Sequence, residues 1–216
     1  PVGQFCEHKW VNFGERQSSG QSILKKIPLF RPFNLKAYNR DSLYQLAGLV
    51  EMDEAFIGPK KPGPRGRGAK GKAKVVIAVE SRDKHAGFAV MRHVPSADSH
   101  QILTFAQDRI QPGSDVRTDG WRAYQKLASN GFVHEPVIVS KDKEALKQLK
   151  WVHVLTANVK GNIRGVHHGV SEKHLCRYLA EFSYRFNRRT WDSPLFNRTV
   201  TACLSTSTVI FADLKA

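Results

Sequence analysis

Two aspartates stand where carboxylates are hard to hold or ready for use. Asp53 lies in LVEMDEAFIG, a largely apolar run, and an acid in mid-strand is costly to bury unless a cation sits beside it. Strand alternation groups Asp53 with Glu51 and Ala55 and turns Met52 and Glu54 to the other face, so Glu54 is not expected to share a site with Asp53. Asp119 follows DVRT and precedes Gly120-Trp121, at the carboxyl end of a strand, where open α/β sheets commonly place ligands. Such a pair suits hard divalent cations, and two bridged cations stabilise the attacking and leaving oxygens of a phosphoryl transfer. Each residue also has a plainer reading. Asp53 would be a solvent-facing or salt-bridged strand acid, and Asp119 the N-cap of the next helix.

The elements that must position this pair follow from periodicity. Leu49 to Ile57 reads as a strand ended by Gly58-Pro59, and 39–48 as a short helix or lead-in. Lys74 to Ser81 and Ala86 to Val94 read as an antiparallel hairpin around Arg82-Asp83-Lys84-His85. Ser99 is the expected N-cap of a helix carrying Ile102, Phe105, Ala106 and Ile110 on one face, stopped by Pro112-Gly113. Asp115 to Thr118 is a short strand, Gly120 to Asn130 a helix closed by Gly131, and Glu135 to Ser140 a further strand. Helical patterns run from Trp151 to Ile163 and from Ser171 to about Arg188, the latter with Leu175, Tyr178, Leu179, Phe182 and Phe186 on one face. Residues 1–38 hold no sustained period, which leaves 1–38 as an irregular N-terminal segment and 39–216 as one domain.

Charge narrows the partners. The 34 Lys and Arg against 19 Asp and Glu give a formal net charge of +15, which points to a polyanion, nucleic acid first. Between Gly58 and Lys74 the chain reads GPKKPGPRGRGAKGKAK, a Gly- and Pro-broken basic excursion with Lys60, Lys61, Arg65, Arg67, Lys70, Lys72 and Lys74. A second cluster, Arg185, Arg188 and Arg189, closes a helix, where cations also suit the dipole. Cys6, Cys176 and Cys203 are too far apart for a CxxC zinc site. No run approaches the roughly 18 apolar residues of a spanning helix and PVGQFCEHKW lacks a signal pattern, so a soluble, cytoplasmic protein without a membrane partner is expected. Trp121 and Tyr124 at helical spacing read first as core and second as base-stacking aromatics, and His167-His168 as loop residues.

From roughly Asn39 to the C-terminus, in consistent order, the chain resembles the DDE insertion-sequence transposases of the ISXO-like branch. The resemblance rests on VEMDEAFIG, GPRGRGAKGK, TDGWRAY, WVH followed by VKGNIRGVHHGVSEKHLCRYLAEFSYRFNRR, and ACLSTSTVIFADLKA. It implies an α/β, RNase H-like (retroviral integrase-type) mixed β-sheet flanked by helices. It also implies a first Asp in the first strand, a second after the fourth, and a third metal-binding residue on a later helix, together holding two Mg²⁺ or Mn²⁺ ions. Asp53 and Asp119 match the first two.

The third residue is commonly Glu, followed seven positions later by a Lys. Lys160 fits that Lys, which makes His153 the third residue. At about 100° per residue His153 and Lys160 differ by only about 20°, whereas Asn158 lies about 140° from His153. Imidazole is a poor ligand for Mg²⁺ and an acceptable one for Mn²⁺, so a His153 site should favour Mn²⁺. Without the resemblance, WVHV reads as core packing around a satisfied histidine.

The activity so implied is metal-dependent cleavage of DNA at element ends and strand transfer into target DNA by a self-associating enzyme. Lys160 would meet substrate phosphate near the scissile bond, and the Lys60–Lys72 excursion would track DNA backbone. Two alternatives stand beside it: an inactive remnant that binds nucleic acid, and an RNase H-like nuclease with another substrate. The first is motivated by the missing Glu and by residues 1–38, where neither the zinc ribbon nor the helix-turn-helix expected of relatives is recognisable.

Overall fold

The computed structural model describes residues 41, 44–58, 71–138, 147–190 and 195–205. In chain order the elements are β1 (Leu49–Ile57), β2 (Ala73–Arg82), β3 (His85–Val94), α1 (Ser99–Arg109), β4 (Asp115–Thr118), a 3-10 helix (Arg122–Asn130), β5 (Val133–Pro136), α2 (Lys150–Gly165), α3 (Glu172–Asn187) and α4 (Leu195–Leu204). The five strands form one sheet in the order β3-β2-β1-β4-β5. β1, β2 and β3 are antiparallel neighbours, while β4 runs parallel to β1 and β5 parallel to β4. Helices cover both faces. This is the expected mixed β-sheet flanked by helices.

Burial explains the strands. β2 is apolar almost throughout because both its faces are covered, which replaces alternation with a continuous run. β1 does alternate: Ala55 and Ile57 join the core beneath α2 and α3, whereas Val50 and Met52 join the core beneath α1 and the 3-10 helix. The two faces of β1 therefore serve two separate cores.

Three boundaries differ from the sequence expectation. α1 is capped by Asp98, not Ser99: one Asp98 carboxylate oxygen accepts the N–H of His100 at 3.0 Å and of Gln101 at 2.9 Å, from an extended backbone. The expected helix after Asp119 is a 3-10 helix, still closed by Gly131 in the left-handed region at φ +87°. β5 is Val133–Pro136 where Glu135–Ser140 was expected, with Val137 and Ile138 outside the strand, because its register is dictated by β4, with Asp115 opposite Val133 and Thr118 opposite Pro136. Residues 139 and 140 of the expected strand lie outside the described residues, as do residues 1–38.

Charged groups lock the far end of the sheet. Asn187 at the end of α3 accepts the N–H of Ala89 at 2.7 Å and donates to its carbonyl at 3.1 Å, which occupies free pairing positions on edge strand β3. Arg188 grips Asp41 with two hydrogen bonds of 2.9 and 2.7 Å and stacks over Tyr184. Arg189 donates to the carbonyls of Ala86, Gly87 and Phe186. The basic SYRFNRR cluster is thus committed to structure.

Beside it, Glu80 is buried where the β2–β3 register shifts, and it accepts from Tyr44, Arg82 and the N–H of Phe88. Gly87 makes room for it. A Cβ there would sit 2.4 Å from a Glu80 carboxylate oxygen and 2.7 Å from Arg82 Nε. Gly87→Ala should therefore lower stability by about 1–3 kcal/mol, the usual cost of overpacking, read as an earlier urea midpoint with unchanged slope. No helix among the described residues is long and apolar enough to cross a membrane.

Candidate metal centre at the ends of β1 and β4

The parallel pairing of β1 with β4 creates the site. Leu49 faces Asp115, Val50 faces Val116 and Glu51 faces Arg117; continuing that register by two residues sets Asp53 level with Asp119. Neighbouring strands lie about 4.8 Å apart, so side chains at one level on one face meet. β4 ends at Thr118, and Gly120 at φ +74° turns the chain away, which leaves Asp119 at the rim. An Asp119 carboxylate oxygen accepts the N–H of Trp121 at 3.0 Å and so holds the turn into the 3-10 helix, whose N-cap is Trp121 and not the expected Asp119.

Asp53, Glu54 and Asp119 each present a carboxylate oxygen, and these oxygens all lie within 4.8 Å of one another. Glu54 is the member alternation did not foresee. Its backbone does point it to the opposite face, toward the α1 side, where the Tyr124 hydroxyl donates to one of its oxygens at 2.7 Å. At this level, however, β4 has already ended, and a carboxylate oxygen of Glu54 comes within 4.8 Å of those of the two aspartates. Tyr124 is fully buried, and burial followed by the charge of Glu54 raises its pKa well above the ordinary 10, so it remains a donor. Tyr124 is accordingly a core residue with a polar task, and Trp121 packs edge-on to it at 6.0 Å.

His153 approaches from α2. Its Nε2 lies 3.7 Å from an Asp53 carboxylate oxygen, and its side chain is 41% exposed against 19% for Asp53. Partial burial lowers its pKa from 6.5, with the charge of Asp119 opposing, so the ring favours its neutral, metal-binding form. Lys160 stands two turns further along the helix. Burial lowers its pKa from 10.5, the charge of Asp53 opposes this, and Lys72 and Arg164 add repulsion. Lys72, Lys160 and Arg164 thus sit within electrostatic reach of one another beside Asp53. Arg164, four residues past Lys160 on the same helical stripe, had no part in the sequence reading, although its spacing announces it.

Asn158 is half-buried on α2, about 160° from Lys160 around the helix. Lys60, Lys61, Arg65, Arg67 and Lys70 lie outside the described residues. The ends of their segment are close together, since a Cβ on Gly58 would be 3.2 Å from Lys72 Cα. Gly58 and Lys72 thus adjoin at the end of the β1–β2 pair. His167 packs edge-on to Tyr178 at 4.5 Å, and His168 takes a left-handed backbone at φ +54°, consistent with a connection between α2 and α3.

Oxygen donors from three carboxylates with an adjacent imidazole fit Mg²⁺ or Mn²⁺. The chain is 29% identical over 157 residues to an uncharacterized protein in transposable element ISH50 of Halobacterium salinarum, an overlap of 65% of this chain and 52% of that one. The chain thus spans about half the length of that curated relative. Among solved structures it resembles a pre-cleavage Mos1 transpososome at TM-score 0.34 and 13% identity, over 85% of this chain and 63% of that one. A Mos1 transposase paired-end complex with left transposon end follows at TM-score 0.25 and 11% identity, over 87% and 68%. The model of the ISXO2-like transposase domain matches residues 45–187, a span that includes every strand of the sheet, both aspartates, His153 and Lys160. The chain belongs to the ISXO2-like transposase domain family.

Proposed function

We propose that residues 39–216 form the catalytic domain of an insertion-sequence transposase that nicks DNA at element ends and joins the freed 3′-hydroxyl to target DNA. One observation carries the reading: carboxylates from β1 and the end of β4 meet within 4.8 Å, and an α2 imidazole lies 3.7 Å from the first of them. Asp53, Asp119 and His153 would hold the two divalent ions. When bound, these ions supply charge neutralisation at the attacking and leaving oxygens of the phosphoryl group. The rest falls to the chain's own groups. Lys160 binds the phosphate that enters beside Asp53, and Lys72, with Lys60, Lys61, Arg65, Arg67 and Lys70 of the excursion, holds the backbone beyond it. The rigid sheet fixes the carboxylate spacing, so positioning and charge stabilisation carry most of the rate enhancement. Element ends and target DNA are the expected partners, with self-association on paired ends.

The decisive experiment is cleavage and strand transfer on duplexes bearing the element's terminal repeats, with Mn²⁺, with Mg²⁺ and without metal. Metal-dependent nicking and joining is expected. DNA binding without metal-dependent cleavage would instead mark an inactive remnant, and cleavage without joining would mark a nuclease.

His153 allows a sharper expectation. A neutral imidazole binds metal and a protonated one does not, and the His153 pKa is depressed by burial. Mn²⁺ affinity should therefore decline only at pH values more acidic than an ordinary imidazole would give. His153→Ala should weaken Mn²⁺ binding, measured by titration, more than it weakens Mg²⁺ binding. If the variant binds Mn²⁺ as tightly as the parent, Glu54 is the better third ligand, and Glu54→Gln then becomes the damaging change.

A further inference from the structure

β1 carries a second carboxylate on the Asp53 face, and it never reaches solvent. Glu51 is 2% exposed, two residues from Asp53 and one strand pleat deeper. One of its oxygens accepts the backbone N–H of Val152 at 2.9 Å, across 101 positions of sequence. Burial raises the Glu51 pKa above the usual carboxylate value, opposed first by the Val152 N–H and then by the nearby Ser81 side chain and Trp151 backbone. Val152 and Trp151 belong to the first turn of α2, whose amide hydrogens have no partner within the helix.

α2 supplies nothing of its own for that turn. Its N-cap is Leu149, without a side-chain hydrogen bond, and its first turn contains no acidic residue. Glu51 fills the capping role from another element: its carboxyl oxygen accepts an amide hydrogen of the first turn. The bond joins the residue next to His153 to the residue two before Asp53. Through this bond, β1 and α2 are held in register at the point where their metal-facing side chains leave them.

We infer that Glu51 is a positioning residue which sets the approach of His153 to Asp53, and so determines whether the imidazole joins the carboxylates on one ion. The inference rests on the metal-binding reading above. Glu51 itself touches neither ion nor DNA. Supporting contacts of this kind orient ligands, and their loss typically weakens metal binding by about 10- to 100-fold. A glutamine retains an acceptor oxygen at the same reach; an aspartate is one methylene too short; an alanine offers nothing.

The test uses the whole chain with Mn²⁺ alone. Affinity is measured by electron paramagnetic resonance, and imidazole ligation by the nitrogen coupling in the pulsed spectrum. Glu51→Gln should keep the nitrogen coupling and most of the affinity. Glu51→Ala should lose the coupling and about 10-fold or more in affinity while still binding through carboxylates, and amide exchange at Val152 should accelerate. If alanine prevents folding, Glu51→Asp takes its place with the same expectation. A folded Glu51→Ala or Glu51→Asp protein with the parent's affinity and coupling overturns the inference alone. A parent that binds no Mn²⁺, or binds it without nitrogen coupling, overturns the His153 metal reading and the inference with it.

Discussion

Asp119→Ala is expected to remove metal-dependent strand cleavage while leaving DNA binding close to that of the parent. The loss should exceed the roughly 100-fold that follows from losing a mere supporting contact, because Asp119 would hold metal directly. Single-turnover cleavage in Mn²⁺ measures it. Asp119 also accepts the Trp121 N–H at 3.0 Å, so alanine removes this hydrogen bond as well and costs about 1 kcal/mol of stability. Asp119→Asn separates the two roles: it keeps an acceptor oxygen for the turn and discards the charge. Equal loss of cleavage in both variants, with stability spared in the asparagine, is the expected pattern. Asparagine with near-parental cleavage would reduce Asp119 to holding the turn. Asp53→Asn should behave as Asp119→Asn does.

The second large effect belongs to the cations. Among the described residues, Lys72, Lys160 and Arg164 have no carboxylate within salt-bridge distance, and both Lys72 and Arg164 repel the Lys160 charge. Two cations that each repel the Lys160 charge form with it a basic group suited to a polyanion. Each phosphate they neutralise releases counterions, so the triple alanine variant should flatten the slope of log affinity against log salt by about 2 to 3 units. Fluorescence anisotropy at several salt concentrations reads the slope directly. A slope equal to the parent's would take these residues off the DNA path. The loop residues Lys60, Lys61, Arg65, Arg67 and Lys70 can be neutralised as a separate set, and a further decrease in slope is expected from them.

Much of the framework was legible because its signals are local. β1 occupies the expected Leu49–Ile57, and the hairpin differs from expectation by one residue at most ends. Helix periodicity marked α2 and α3, since Leu175, Leu179, Phe182 and Phe186 must share a buried face to be useful. What local signals missed has a common cause. The register of β5 depends on β4, a partner 18 positions away, and the 3-10 geometry after Asp119 depends on how Tyr124 is drawn into the core. Asp98 outcompeted Ser99 by being where the chain is still extended.

The site divides the same way. Asp53 and Asp119 were recognisable as carboxylates at strand positions, and His153 and Lys160 as a pair on one helical stripe. Glu54 starts on the other face, as alternation has it, yet one of its carboxylate oxygens lies within 4.8 Å of those of the two aspartates, because alternation describes where a side chain starts and not how far a long one reaches. Arg188 and Arg189 were legible as cations closing a helix, but not their partners, Asp41 and the carbonyls of β3. By itself the sequence determined which residues carry charge and donor atoms, and which stretches become strands and helices, since these depend on residue type and short-range period. Only the tertiary structure decided which of them meet: the parallel register of β1 and β4 levels Asp53 with Asp119, and the buried bond from Glu51 to Val152 sets α2 against β1. Both are contacts between distant parts of the chain, fixed by burial and backbone pairing, which no local spacing encodes.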